Sequence, residues 1–443
     1  MISVKKILNG IGVVACAAIV ISGVPGWISL SKQSEEASGN TVVSVMFHVS
    51  SSSKEGQAYK KCVDAFNEAY KDKKIKATAN YTPRTDGSSA YETALISMKI
   101  ENKLPDIITF DSPKCSYYAA NGYLYNINNM VADIKDEFYD SSLNYYNGEV
   151  YGLPIQESSA GFYYNKSLFR RAGISDKEIE EYGDETPWTY AEFSSVCERL
   201  KGVCEKAAVN MSFGGTSDET TPYLLYPFIY ASGGEFASED GKTVTGYLDS
   251  DTTVSAFAFF KTLLDNGYTS DLVDANDFYN GKVGMYLSSG WTIADLRNKN
   301  YSAFPSGSNW GLLPYPCDKA GCAASATGSW SFGITLNHHA DKSAARELLK
   351  WLVNDDSSRL ITEHTGMISA KKAVNEGRYE EGSPEAMLFR QLASTGKARP
   401  TMVGYSVFST TFNQIIHELP KSPDLKSFIA DKTATLQETI NKY

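Results

Sequence analysis

Apolar and polar positions along this chain follow two rhythms that take turns. "TVVSVMFHVSSSS" (41–53) carries an apolar run and then a polar loop, the pattern of a strand covered on both faces. "GQAYKKCVDAFNEAYKDK" next sets Tyr59, Cys62, Phe66, Ala69 and Tyr70 on one face of a helix. An alternating "IKATANY", a helical stretch from about Ser89 to Lys103 and a second apolar run, "LPDIITFDS", follow. Strand–helix–strand–helix–strand order predicts an α/β fold, a mostly parallel sheet flanked by helices. Ligands of such sheets lie beyond the carboxyl ends of the strands. The loop at His48–Ser53 and the turn at Asp111–Ser112 therefore belong to one crevice.

Downstream, "TPWTYAEFSSVCERL" opens a helix with Thr186 as its candidate cap. "FYNGKVGMYLSSGWTIADLR" reads as a strand, a small turn and a helix with Trp291 near its start. "KSAARELLKWLVND", "SVFSTTFNQIIHEL" and "LKSFIADKTATLQETINKY" are helical, and "SNWGLLPYP" and "GSWSFGITLN" are strands. One stretch breaks both rhythms. In "NGEVYGLPIQESSAGFYYNKSLFRRAGI" (147–174) the polar run Gln156, Glu157, Ser158, Ser159 interrupts a strand-like region before the aromatics resume.

With 443 residues the chain exceeds a usual single domain, which points to two lobes. A net charge of −10, from 42 basic and 52 acidic residues, argues against nucleic acid as a partner. Aromatics reach 12%, with 28 Tyr, and an amphipathic ring with a hydroxyl suits a sugar-stacking cleft.

Lys5 and Lys6 precede an apolar run from Ile7 to Leu30, followed by the polar "SKQSEEASGN". Residues 1–34 thus read as an export signal or membrane anchor that places the body outside the membrane. "VVAC" also offers Cys16 as a lipidation site, so retained anchor, cleaved signal and lipoprotein all stay open. Of the other cysteines, spacing suggests the pairs Cys197–Cys204 and Cys317–Cys322, and elimination leaves Cys62–Cys115; unpaired buried thiols are the alternative. No His or Cys spacing points to a metal, and no nucleophile elbow, Gly-Lys-Ser/Thr loop or Cys–His dyad appears. No cofactor and no metal are expected, and nothing in these motifs points to catalysis.

Several short motifs, in order, carry a resemblance: "LPDI" (104–107), "GYLYNI" (122–127), "NGEVYGLP" (147–154), "YYNKSLFRRAGI" with "PWTYAEF", "FYNGKVGMYLSSGW" (278–291) and "GMISAKKAV" (366–374). Together they resemble the extracellular solute-binding proteins of ABC-type sugar importers, the maltose/maltodextrin binders among them. Trp188 and Thr189 are inverted relative to that family's commonest form, and Ser369 replaces a proline. The resemblance implies two α/β lobes joined by crossing strands that close on a ligand. The first crossing falls in "YGLPIQESSAG", with others near Gly311–Pro316 and His364–Ser369. Lobe one is then 35–155 plus 314–366, and lobe two is 156–313 plus 367–443.

It also implies a mono- or oligosaccharide ligand, an ABC permease as partner, attachment to the outer face of a bacterial membrane and a monomeric body. Trp291 matches the family's stacking tryptophan, and Trp330 follows a crossing. Tyr223 and Tyr226 in "TPYLLYPFIYASGG" fit a maltodextrin-binder pattern, Tyr226 standing where a tryptophan is usual. Asp111 and Glu157 match ligand carboxylates, with Gln156 one residue away. His48 and Ser50 fall where the first polar contacts arise, and Arg399, Tyr405 or Phe408 can add to them from the last segment. A polyamine, peptide or metal chelate in the same fold, or a surface sensor or adhesion role, is the competing expectation.

Overall fold

The structure is a computed structural model, described for residues 39–84, 89–182, 186–213, 219–298, 301–318 and 323–443. The expected leader at 1–34, with Cys16, lies outside the described residues, as does Cys322. Among the described residues no helix is long and apolar enough to cross a membrane.

Two sheets organise the chain. The first contains β1 (Thr41–Phe47), β2 (Ile75–Tyr81), β3 (Ile107–Asp111), β4 (Asn144–Tyr146) and β5 (Glu149–Glu157). The second contains β6 (Ala160–Asn165), β7 (Ala207–Asn210), β8 (Val283–Ser289) and β9 (Trp310–Leu313), in the order β7-β8-β6-β9. β10 (Ser325–Ala326) and β13 (Gly396–Lys397) pair by themselves, while β11 (Trp330–Ile334) and β12 (Ile368–Ser369) return to the first sheet. Its order is β12-β5-β11-β3-β1-β2, with β4 on β5. The sheets are mixed rather than mostly parallel: β11 inserts between β3 and β5 and runs against both. A strand that re-enters from the other lobe can fill that slot without a crossover helix.

β1 is buried on both faces, as its apolar run required. Val43, Val45 and Phe47 meet the helix Lys54–Ala69, with Phe47 stacked on Tyr59 at 4.6 Å. Met46 points the other way, into Ile108, Phe110 and the helix Ser89–Ile100. The one buried polar residue within β1, Ser44, is satisfied by Asp106 at 2.7 and 2.8 Å. In the second lobe the period of two is equally plain. Phe162 and Tyr164 face the large core that holds Phe228, Phe260 and the helices Tyr405–Glu418 and Leu425–Ile440, whereas Tyr163 faces Phe278, Leu296 and Trp310.

Three expectations need correction. Cys62 and Cys115 are free thiols lying in clusters on opposite faces of the first sheet, so the sheet itself separates them. Cys197 and Cys204 are also free: the helix Tyr190–Lys201 continues past Cys197, and a straight helix carries the two apart. The helix cap is Thr189, not Thr186, because Thr189 and Glu192 form a reciprocal capping box. Beyond β12, Ala370 packs in the core of the first sheet, and Lys371 bridges Glu137 and Asp355 at 2.6 and 2.5 Å.

Candidate functional site

The chain passes from the first sheet to the second through Ser158 and Ser159 alone, since β5 ends at Glu157 and β6 starts at Ala160. All four polar residues of Gln156–Ser159 are buried. Beside them Trp330, the first residue of β11, pairs with Asp111 on one side and Gln156 on the other. One rung thus gathers the ends of three strands at the mouth of the first sheet, where a ligand is expected.

A cavity of about 790 Å³ opens there. His48, Ser50, Asp111 and Trp330 line it from elements of the first sheet, and Tyr223 and Trp291 from elements of the second. Local sequence explains the placements. Ser53 caps the helix Lys54–Ala69, and at Gly56 a Cβ would meet Ser50 O at 2.1 Å, so only glycine lets the His48–Ser53 loop fold against that helix. Gly328 has the same role opposite: Tyr223 rests against it, and a Cβ would come within 2.9 Å of the ring. Trp291 starts the helix Trp291–Asn298 directly after Gly290, and it is 38% exposed in a chain whose other large rings are mostly buried.

The first-lobe wall is charged but internally matched. Arg84 donates two hydrogen bonds to Glu55, at 2.9 and 3.0 Å, and its guanidinium lies over the Trp330 ring at 3.7 Å. Lys114 and the Tyr118 hydroxyl both donate to Glu92 at 2.6 Å. Deeper in, Arg399 grips Asp111 through both Nη atoms, at 2.7 and 2.5 Å, and reaches Glu219 at 3.1 Å. Tyr405 and Ser409 donate to Glu219 at 2.6 and 2.7 Å. This is a forked, charge-assisted pair, the strong kind, and it ties the end of β3 to second-lobe helices.

His48 stacks on Tyr91 at 4.1 Å and meets Trp330 edge-on at 5.4 Å. Burial, with Arg84 and Lys114 nearby, pushes its pKa down from 6.5 to about 3, so the ring is neutral. Its Nε2 is buried with no partner among the described residues, a polar atom for a ligand hydroxyl to meet. The Tyr223 hydroxyl is already engaged by Ser158 and Ser289, at 2.8 and 3.2 Å, leaving its ring to line the cavity.

Tyr226 and Glu157, expected at the site, are not brought to this cavity, and neither are Tyr405 and Phe408. Tyr226 lies in the second-lobe core against Phe236, Phe408 and Phe412, at 4.4, 5.9 and 4.8 Å. Glu157 turns into a separate pocket of about 50 Å³ behind Arg399, with Asn144, Thr327 and Ser329. Burial there pushes its pKa up from 4.5 to about 8, against the Ser329 hydroxyl and Arg399. Sequence reasoning missed Glu55, Arg84, Glu92, Lys114 and Glu219. Arg84 was findable, because "YTPRT" follows the carboxyl end of β2 just as His48 follows β1. Nothing in the sequence signals Glu92, which reaches the wall only through its helix.

The profile of the bacterial extracellular solute-binding proteins matches residues 61–385. The chain belongs to that family. As a solute-binding protein it is 25% identical over 287 residues to a binding protein of Brucella abortus (strain 2308), a match that covers 62% of this chain and 64% of that one. It is 22% identical over 236 residues to an arabinooligosaccharide-binding protein of Halalkalibacterium halodurans, covering 52% and 48% of the two chains. Among solved structures, the GacH receptor of Streptomyces glaucescens, described unliganded and with acarbose, superposes with a TM-score of 0.73 at 18% identity, over 91% of this chain and 99% of that one. This solute-binding protein therefore has the two-lobed fold, and the cavity lies where its two sheets meet.

Proposed function

We propose that this solute-binding protein is the capture subunit of an ABC importer and that its ligand is an uncharged sugar or short oligosaccharide. One observation carries the reading: a cavity between the two lobes offers an open tryptophan, Trp291, beside three cations that each already hold a carboxylate. Lys114, Arg84 and Arg399, the cations with largely buried side chains there, each hold a carboxylate within 3.1 Å. A phosphate or carboxylate ligand would find no spare cation among them, whereas hydroxyls can share the carboxylate lone pairs. The arabinooligosaccharide binder and the acarbose-bound receptor among its relatives support the same ligand class.

In this reading Trp291 and Tyr223 hold the sugar faces, and His48, Ser50 and Asp111 meet its hydroxyls. Trp330 backs the cleft, while Glu157 and Tyr226 act from behind it. The moving bodies are 39–155 with 314–366, to which 367–375 are added, and 156–313 with the remainder. Ligand favours closure only by binding the closed form better. The closed monomer then docks on permease subunits outside the cell membrane, held near by its N-terminal segment.

A thermal-shift screen of neutral mono- and oligosaccharides against glycerol phosphate, polyamines and peptides tests the proposal. A neutral saccharide should raise stability by about 2.7 kcal/mol at a hundred times its Kd. A shift only with an anionic solute would defeat it.

A further inference from the structure

Trp330 would be the natural second platform for a saccharide, yet the face it turns towards the cavity is taken. The guanidinium of Arg84 lies over that ring at 3.7 Å. Arg84 is not a loose surface side chain. Thr82 N–H donates to Phe47 O at 2.8 Å, which seats the turn after β2 beside the loop after β1. The fork of Arg84 is then held by both oxygens of Glu55, at 2.9 and 3.0 Å. Glu55 is fixed in its turn: it is buried on the first turn of the helix Lys54–Ala69 and accepts from Tyr59 at 2.7 Å. The edge of Trp330 is also occupied, by His48 at 5.4 Å and 74°. Trp291, by contrast, is 38% exposed, and its one ring contact among the described residues is Tyr223, tilted by 39° at 6.1 Å.

We infer that Arg84 is the end-stop of the cleft and determines how long a saccharide the site accepts. The inference rests on the sugar reading above and adds a specificity residue to it. A sugar ring stacks on Trp291, and the chain can extend only until it meets the Arg84 side chain that covers Trp330. A volume of about 790 Å³ leaves room for more than one ring, so an end-stop has something to limit. Arg84 is one-third exposed at the side chain and can be removed without opening a hole in the core. Removal trades the ion pair with Glu55 for a free aromatic face, the kind of surface on which sugars and other flat rings stack.

The test is calorimetric titration of the wild-type protein, Arg84→Ala and Arg84→Met with malto-, arabino- and xylo-oligosaccharide series, each begun at the single sugar and lengthened unit by unit. Affinity should stop rising, or fall, beyond a definite length in the wild type. Arg84→Ala should move that limit to longer chains, with binding of the first excluded length tightened by roughly tenfold, the worth of one added ring contact. Arg84→Met keeps the bulk over Trp330 without the charge and should keep the wild-type limit. Melting curves confirm that each variant is folded. An unmoved limit in Arg84→Ala, or an equal loss of affinity at every length, would overturn the inference while leaving the sugar reading intact. Failure of the wild type to bind any saccharide would overturn both.

Discussion

Trp330 and Trp291 line one cavity from two different lobes, and their surroundings could hardly differ more. Trp330 is bracketed by Arg84 and His48 and shares a strand rung with Asp111, whose carboxylate is gripped by Arg399. Trp291 opens a helix, stands 38% exposed and has one tilted ring contact among the described residues. The charges and the ring on one side of the site have been engaged by the protein itself, and the ring on the other awaits a partner. The contrast teaches that a ring's place in a cleft does not make it a platform; what already covers it decides.

The comparison breaks most severely if the satisfied side is not a structural unit. Arg399→Met would leave Asp111 and Glu219 facing each other without their shared cation. Removing one partner of a buried ion pair costs about 3–5 kcal/mol, so the denaturant midpoint should fall sharply. An unchanged midpoint would mean that the Arg399 ion pair does not hold the two lobes together at Asp111. Next in size is the open side. Trp291→Ala should weaken saccharide binding by about 1–3 kcal/mol with less effect on melting than on affinity, because the residue stands 38% exposed. Trp330→Ala should do the reverse, lowering the melting temperature more than the affinity. Interchanged results would reverse the roles assigned to the two tryptophans.

Much of this architecture was legible beforehand, and the boundary of legibility follows physics. The apolar run of β1, the period of two through Phe162 and Tyr163 and the Gly290–Trp291 junction are local patterns, and each folded as its pattern implied. The polar run Gln156–Ser159 marked a place where two sheets meet, because four consecutive buried polar residues need partners that a simple core lacks. What stayed hidden was pairing at long range. Arg399 meets Asp111 across 288 positions of chain. The insertion of β11 between β3 and β5 is likewise a tertiary choice. The Cys62–Cys115 pair failed for the same reason: elimination along the chain cannot see that the two lie on opposite faces of the first sheet. Tyr226 is the converse case, a motif position whose helix turns it into the core.

Glu157 gives the finest test of where the satisfied side ends. It lies behind Arg399, bonded to Ser329 and to backbone groups of Ser158 and Gly328, and burial raises its pKa from 4.5 to about 8. Between those two values the folded chain keeps a proton that the unfolded chain has released. Stability therefore falls as pH rises from 4.5 to about 8 and levels off above that. The slope attributable to this carboxyl is at most about 1.4 kcal/mol per pH unit. Glu157→Gln removes the titrating group and keeps the shape, so chemical denaturation across that range should give a flatter profile, with the variant the more stable protein at the alkaline end. Parallel profiles would show Glu157 ionised and hydrated in the native state. The small pocket behind Arg399 would then be continuous with the ligand cavity, and Glu157 would belong with Asp111 among the groups a sugar can reach.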